Sequence, residues 1–449
     1  MVALSRRTIT GLITTSGRLF DDWTADYRLL SKARFDPEPL WAVVRRGILR
    51  RLPEGRPLVV AMDDTTTRKR GRRIPGTAWR RDPLGPPFAT NFIWGRRFLQ
   101  FSAILPPDEA EAPSRAIPIA LHHAPSATKP SRKAPPEAWT AYHQARRTQT
   151  LPRQAAEQLR VLRTQVDQDG AGDRRLWVVA DGGYTNKTVL RSLPEHTTFI
   201  GRLREDALLA LPPPPPEPRG RGRRPAYGPV LPTPEQLRHD DGIPWSTALV
   251  FVAGKLHRMS YKTVGPVLWR AAGAQRPLRL VVVAPLAYRL SARSKLLYRR
   301  PAYLICTDPT LSPEEILAAY VSRWDIEVNF RDEKSLLGLD EAQVRTPASA
   351  RLAPTLAVAA YALLLLASTQ AFGLHGVPAT LPLPKWRLSD PPIRATTAQL
   401  MNHLRFELWA PAMKTENFSD FVAPSPPSTK PEKFLPPLSS ALFYAQSAY

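Results

Sequence analysis

The chain has 449 residues, 63 Lys and Arg against 39 Asp and Glu, a net charge of +24 and one cysteine. That length implies two or three units with at least one large core, and one cysteine, Cys306, excludes an internal disulfide framework and any cysteine-rich zinc site. The surplus bases gather in runs, RKRGRR (68–73), RGRGRR (219–224) and YRR (298–300), a distribution suited to a polyanion, with nucleic acid the first partner to consider.

The opening MVALSRRTITGLITT lacks a sustained apolar stretch before a small-residue cleavage site, so no export signal is expected, and a reducing cytosol fits the cysteine usage. Residues 1–55 read as a small helical unit closed by Pro53-Glu54-Gly55. PLVVAMDD (57–64) is a buried strand ending in two acids. NFIW and RFLQFSAIL follow as strands with a hairpin turn expected at Gly95-Arg96. Residues 108–135, rich in Pro, Ala and Lys, read as an irregular connection, and Ala138 to about Asp167 as a helix. RLWVVADGG (175–183) is a further apolar strand ending in an acid, followed by a short helix, NKTVLRSL, and a strand, TTFIGRL (197–203).

Residues 205–300 break this rhythm with a proline run, a basic Gly/Arg stretch and the strand-like STALVFVAG and LRLVVVAPL, which predicts a β-rich insertion. AYLICTD (302–308) then resumes as a buried strand, and Ser312 with Glu315 forms a capping box at the start of a helix. Leu352 to Leu374 carries no charge and is long enough to span a bilayer. Pro354, Ser368, Thr369 and Gln370 within it, and its Ala-rich character, favour a buried core helix and no membrane partner. Residues 376–449, rich in Pro and Ser, read as a tail with one helix from Ala398 to Trp409.

The segment YVSRWDIEVNFRDEK carries the spacing Y-x2-R-x3-E-x6-K from Tyr320 to Lys334. At about 100° per helical residue, Arg323, Glu327 and Lys334 fall roughly 60°, 20° and 40° from Tyr320, on one side, and Arg331 lies within about 20°. Asp325, Asp332 and Glu333 project away on this reckoning, leaving Glu327 as the one carboxylate among the bases.

Three acids thus occupy comparable places: Asp64 or Asp63 at the end of one strand, Asp181 at the end of another, and Glu327 on a helix. In a compact sheet they can converge, and oxygen ligands suit Mg²⁺. Two such ions about 3.5 to 4 Å apart can activate a water or 3′-hydroxyl at a phosphodiester. The loop TTTRKRGRRIPGTAWRR (65–81) adds Arg68, Lys69, Arg70, Arg72 and Arg73 as phosphate contacts and Trp79 as a stacking residue.

With DDTT at 63–66, ADGGY at 180–184 and the four residues Tyr320, Arg323, Glu327 and Lys334 at that spacing, the chain resembles the DDE transposases of bacterial insertion sequences, of the IS-four-like group that carries the YREK signature. The likeness covers about residues 57–370. It implies an α/β fold: an RNase H-like mixed sheet flanked by helices, interrupted by a β-rich insertion, with a helical N-terminal unit. The corresponding division is 1–55 for a helical DNA-binding unit, 56–204 and 301–375 for the two parts of the catalytic core, 205–300 for the insertion, and 376–449 for a tail that could serve dimerisation.

The resemblance further implies that Asp64 (Asp63 as second choice), Asp181 and Glu327 ligate two Mg²⁺ ions, with Mn²⁺ as a substitute, and that Tyr320, Arg323 and Lys334 contact DNA phosphates. The implied chemistry is cleavage of double-stranded DNA at the element's ends and attack of the freed 3′-hydroxyl on target DNA, by a homodimer in the bacterial cytoplasm, at the nucleoid. Relatives with a DNA hairpin step hold a flipped base on an aromatic in the insertion, for which Trp245 and Trp269 are candidates. Two other readings stay open, a DNA-binding relative that does not cut and an RNase H-like nuclease of other nucleic acids.

Overall fold

A computed structural model describes residues 1–415 other than 2, 5, 17, 19–20, 83–84, 87, 107–112, 216–224, 253–254, 273–275, 290–293, 375, 377–384 and 386–393. The RGRGRR run and the tail from 416 onward lie outside the described residues.

Three helices open the chain, α1 (Ile9–Thr15), α2 (Thr24–Ser31) and α3 (Glu38–Leu49). Then come β1 (Leu58–Arg68), β2 (Ala78–Arg81), β3 (Phe92–Leu105), β4 (Arg115–His123), α4 (Pro136–Thr148), α5 (Leu151–Val166), β5 (Leu176–Ala180), α6 (Lys187–Arg191) and β6 (Thr197–Leu203). The insertion contributes β7 (Leu209–Ala210), α7 (Pro234–His239), β8 (Ser246–Val252), β9 (Lys255–Trp269), β10 (Leu278–Val283), β11 (Ala287–Tyr288) and β12 (Leu297–Tyr298). The chain returns through β13 (Ala302–Cys306), α8 (Pro313–Ser322), α9 (Asp325–Ser335), α10 (Pro347–Phe372) and α11 (Thr397–Thr415).

The strands form an eleven-stranded mixed sheet ordered β2-β3-β1-β5-β6-β13-β10-β9-β7, with β4 also on β3 and β8 on β9. β1 pairs antiparallel with β3 and parallel with β5, and β5 pairs parallel with β6. This is the expected mixed α/β, RNase H-like arrangement. The insertion's β9 and β10 extend the same sheet, because β13 pairs antiparallel with both β6 and β10.

Strand alternation sorts the side chains into two layers. Leu58, Val60 and Met62 of β1 and Leu176, Val178 and Ala180 of β5 join the core beneath α3, α5 and α10. The opposite parity, Val59 and Ala61 of β1, packs with Ile326 and Phe330 of α9, while Trp177 and Val179 of β5 pack with Ile316 and Leu317 of α8. A residue's place in the strand therefore decides which helices it meets.

Several sequence expectations are corrected. No turn occurs at Gly95-Arg96: β3 runs straight through, because a glycine there lets β3 close on β1. A Cβ at Gly95 would sit 2.2 Å from the Thr67 carbonyl oxygen, and Arg96 is buried in an ion pair with Asp340 at 2.7 Å. The hairpin lies instead between β2 and β3. The connection expected over 108–135 contains β4, with Pro118 accommodated at a register shift on an edge strand. The helix expected over 138–167 is two helices, interrupted at Gln149 and Thr150, with Pro152 in the first turn of the second.

The long apolar helix α10 is long and apolar enough to cross a membrane, but Val358, Tyr361, Leu365 and Leu366 bury it in the core beside α3. The N-terminal helices also dock there, with Trp41, Val44 and Ile48 of α3 in the same cluster. Helix α11 begins as expected and extends beyond Trp409 to Thr415.

Candidate active site

Asp63 and Asp64 are consecutive on β1, so they face opposite sides of the sheet. Asp63 continues the parity of Val59 and Ala61, toward α9. Asp181 follows β5 in the parity of Trp177 and Val179, on the same side, and the Met62–Ala180 register brings the two acids side by side. Burial and the neighbouring Asp181 push the Asp63 carboxyl up to about 7. The Asp181 side chain is held by its own turn, Oδ1 accepting the Gly183 N–H at 2.8 Å.

Across this edge the stripe from Tyr320 to Lys334 is not one helix. α8 ends at Ser322 and α9 starts at Asp325, with three-residue hydrogen bonds through Arg323 and Trp324 tightening the junction. That junction drives Arg323 into the site. Its Nη1 lies 3.1 Å from Asp63 Oδ2 and its Nη2 lies 3.3 Å from Glu327 Oε1. Its guanidinium also lies 5.8 Å from the centroid of the half-buried Tyr320 ring. Burial raises the Glu327 carboxyl above its ordinary value, Arg323 opposing.

The other acids of the segment have tertiary partners. Asp325 accepts from the Ser114 hydroxyl at 2.9 Å, Asp332 from that of Thr397 at 2.6 Å, and Glu333 from the Gln100 amide at 2.9 Å. Arg331 is exposed, one helical turn beyond Glu327, and pairs with Asp332 at 2.9 Å. Lys334 is exposed at the end of α9, within electrostatic reach of Asp64.

Asp64, the first choice on sequence, points into the opposite layer. Its Oδ1 accepts the Tyr184 hydroxyl at 2.7 Å, and Arg97 and Arg80 oppose its burial. Nothing in the sequence marks Tyr184, Arg80 and Arg97 as neighbours of Asp64: Tyr184 is legible only as part of the ADGGY run, and Arg80 and Arg97 meet at Ser126, at 3.0 and 3.4 Å, through strand register that spacing cannot reveal. Trp324, exposed beside Glu327, likewise carries no signal in the spacing.

The basic loop divides. Arg68, Arg70, Arg72 and Arg73 are exposed, Arg68 pairing with Asp82 at 2.8 Å. Lys69 is a correction: its ammonium is buried against Asp340 at 3.0 Å, because Asp340 is the counter-charge the interior supplies to both Lys69 and Arg96. Trp79 is 64% exposed and stands edge-on to its cross-strand neighbour Trp94, centroids 5.6 Å apart. In the insertion, Trp245 lies 4.7 Å from the Lys262 ammonium, and Trp269 packs against the main core.

The donor set Asp63, Asp181 and Glu327 is all oxygen, the chemistry a hard divalent cation takes, and burial and Asp181 raise the Asp63 carboxyl against the opposing pull of Arg323. Among the described residues no three such side chains are close enough to enclose an ion; Arg323 stands between Asp63 and Glu327 and supplies the counter-charge.

The comparison with curated proteins finds no match. Residues 112–274 match the family model of a DDE superfamily endonuclease, and residues 290–372 that of an archaeal putative transposase, ISC1217. The first span contains Asp181 and the second contains Tyr320 to Lys334, while Asp63 and Asp64 precede both. Together with the fold, the two matches support a transposase-type nuclease of the DDE kind.

Proposed function

We propose that the protein is a DNA transposase that cleaves the ends of its own element and joins the freed 3′-hydroxyl to target DNA. The observation that carries this reading is the meeting of Asp63, midway along β1, and Asp181, just past the end of the adjacent parallel strand β5, with Arg323 and Glu327 at the junction of α8 and α9. Asp63, Asp181 and Glu327 would hold Mg²⁺, Asp63 replacing Asp64 as the first acid because it shares the face of α9. When bound, a pair of such ions activates the attacking water or hydroxyl and offsets charge on the leaving oxygen.

Arg323, released from its carboxylates, binds a phosphate oxygen beside the cut, as a fixed charge in place before reaction. Lys334 and the Tyr320 hydroxyl hold flanking phosphates, in the manner of the YREK signature. Arg68, Arg70, Arg72 and Arg73 contact the backbone further out, with Trp79 offering a stacking face. Two copies bridging two ends complete the reading, in the cytoplasm where the element's DNA lies.

The test is Mg²⁺-dependent cleavage of a duplex carrying the inverted repeats that flank the coding sequence. Asp63→Asn, Asp181→Asn and Glu327→Gln should each abolish cutting while leaving DNA binding in place, and Asp64→Asn should retain measurable cutting. If Asp64→Asn is dead and Asp63→Asn cuts at the parental rate, the choice of acid is wrong. If all four cut, the site is wrong.

A further inference from the structure

On the side of the sheet away from α8 and α9, α5 and α6 leave a groove between them. It holds about 670 Å³, and its charged lining is Arg153, Arg160, Lys187 and Arg191 against one acid, Glu157. Through Arg160, Arg191 and Ser192 it runs on into a second hollow of about 780 Å³. Arg153, Lys187 and Arg191 are exposed and form no salt bridge among the described residues. Arg160 reaches Glu157 at 3.3 Å, but both side chains are more than half exposed, so water screens that pair.

Topology gives the groove its direction. β5 runs toward Asp181, so α5, which precedes it across the kinked connection at 167–175, runs the other way, and α6 starts where the Asp181 turn ends. Arg153 in the first turn of α5 and Lys187 at the start of α6 therefore lie at the carboxylate edge, with Arg160 and Arg191 further from it. From Arg153 to Arg160 is about 10 Å along the helix, the length of roughly three nucleotides of one strand at about 3.4 Å each. Gln154, Gln158, Thr188 and Ser192 add hydrogen-bonding groups to walls that also include Ala156 and His122, and contacts of that kind position a backbone without reading its sequence.

We propose that this groove carries the sugar–phosphate backbone of the DNA strand as it leaves the carboxylate edge on the side opposite α9, with Arg153, Lys187 and Arg191 each taking a phosphate. The proposal rests on the DNA-cleaving reading above and adds a second track to it. A strand cut at the sheet's edge continues in two directions: Arg323 and Lys334 serve one, and the α5–α6 groove serves the other.

The test is a fluorescence-anisotropy titration of the full-length protein with a labelled duplex of its element's end, in Mg²⁺-free buffer, between about 50 and 200 mM salt. Replacing Arg153, Lys187 and Arg191 together by Gln should lower the slope of log affinity against log salt by about 2.7, at about 0.9 for each phosphate no longer neutralised, with an unchanged thermal midpoint. Arg191→Gln alone should lower it by about 0.9, and it decides the matter if the triple variant does not fold. A parental slope in a folded variant overturns the groove and leaves the nuclease reading intact. Parental protein that binds DNA without salt dependence overturns the DNA reading itself.

Discussion

Glu333 is fully buried on α9, with one carboxylate oxygen accepting from Gln100 at 2.9 Å and the other without a partner among the described residues. Burial raises its carboxyl to about 8 from an ordinary 4.5, against the opposing pull of Gln100 and Lys334. The folded protein therefore keeps a proton that the unfolded chain releases, so this group's stability is fully present below about 4.5 and is lost as pH rises through about 8. Glu333→Gln should flatten that dependence, gaining on the order of 4 kcal/mol at pH above 8, as measured by denaturant unfolding across that range; a variant that keeps the parental slope would locate the proton elsewhere. In sequence Glu333 reads only as an acid that projects away from the Tyr320 stripe, because helical angle assigns faces relative to Tyr320 and says nothing of where the sheet lies. Asp63 and Asp64 repeat the lesson: adjacent acids read as interchangeable until alternation on β1 gives them different neighbours.

At the level of elements, β1 and β3 are the pair on which the site depends, since β1 carries both acids and Gln100 of β3 lies opposite Asp63. Gly95 allows their close approach. Gly95→Ala would force a methyl against the Thr67 carbonyl, and should destabilise by about 1–3 kcal/mol, the usual range for overpacking. Thermal unfolding checks this, and cutting should fall with it because the end of β1 shifts. Strands β5, β6 and β13 and the capping box at Ser312 are legible in the sequence, because each is a bounded apolar run or a local hydrogen-bond pattern, whereas only the apolar first half of β1 is, since the strand does not end at the two acids but runs on to Arg68 by pairing with β3. β4 is not, since its proline and flanking loops resemble a connection, and the break between α8 and α9 is not, since every residue across it keeps helical backbone angles.

For the molecule as a whole, Asp340 ties the distant parts together. It receives Arg96 of β3 at 2.7 Å and Lys69 at 3.0 Å, and accepts the Thr67 hydroxyl at 2.6 Å, while Arg96 also donates to the Ala350 carbonyl of α10. Removing one partner of a buried pair leaves uncompensated charge, so Asp340→Asn should destabilise by about 3–5 kcal/mol; denaturant unfolding reads this directly, and a loss under about 1 kcal/mol would mean the cluster is effectively solvated. The sequence by itself determined that the chain is strongly basic, alternates strands and helices around a β-rich insertion, and carries aspartates directly after two apolar strand-forming runs and a glutamate among bases on a helix. Those features are local, set by composition, periodicity and spacing. Only the tertiary structure decided that Asp63 faces α9 while Asp64 meets Tyr184, that Arg323 bridges Asp63 and Glu327, that Lys69 is buried, and that four bases from α5 and α6 share one groove. Each depends on strand parity and on packing between segments far apart in the chain, which no local pattern encodes.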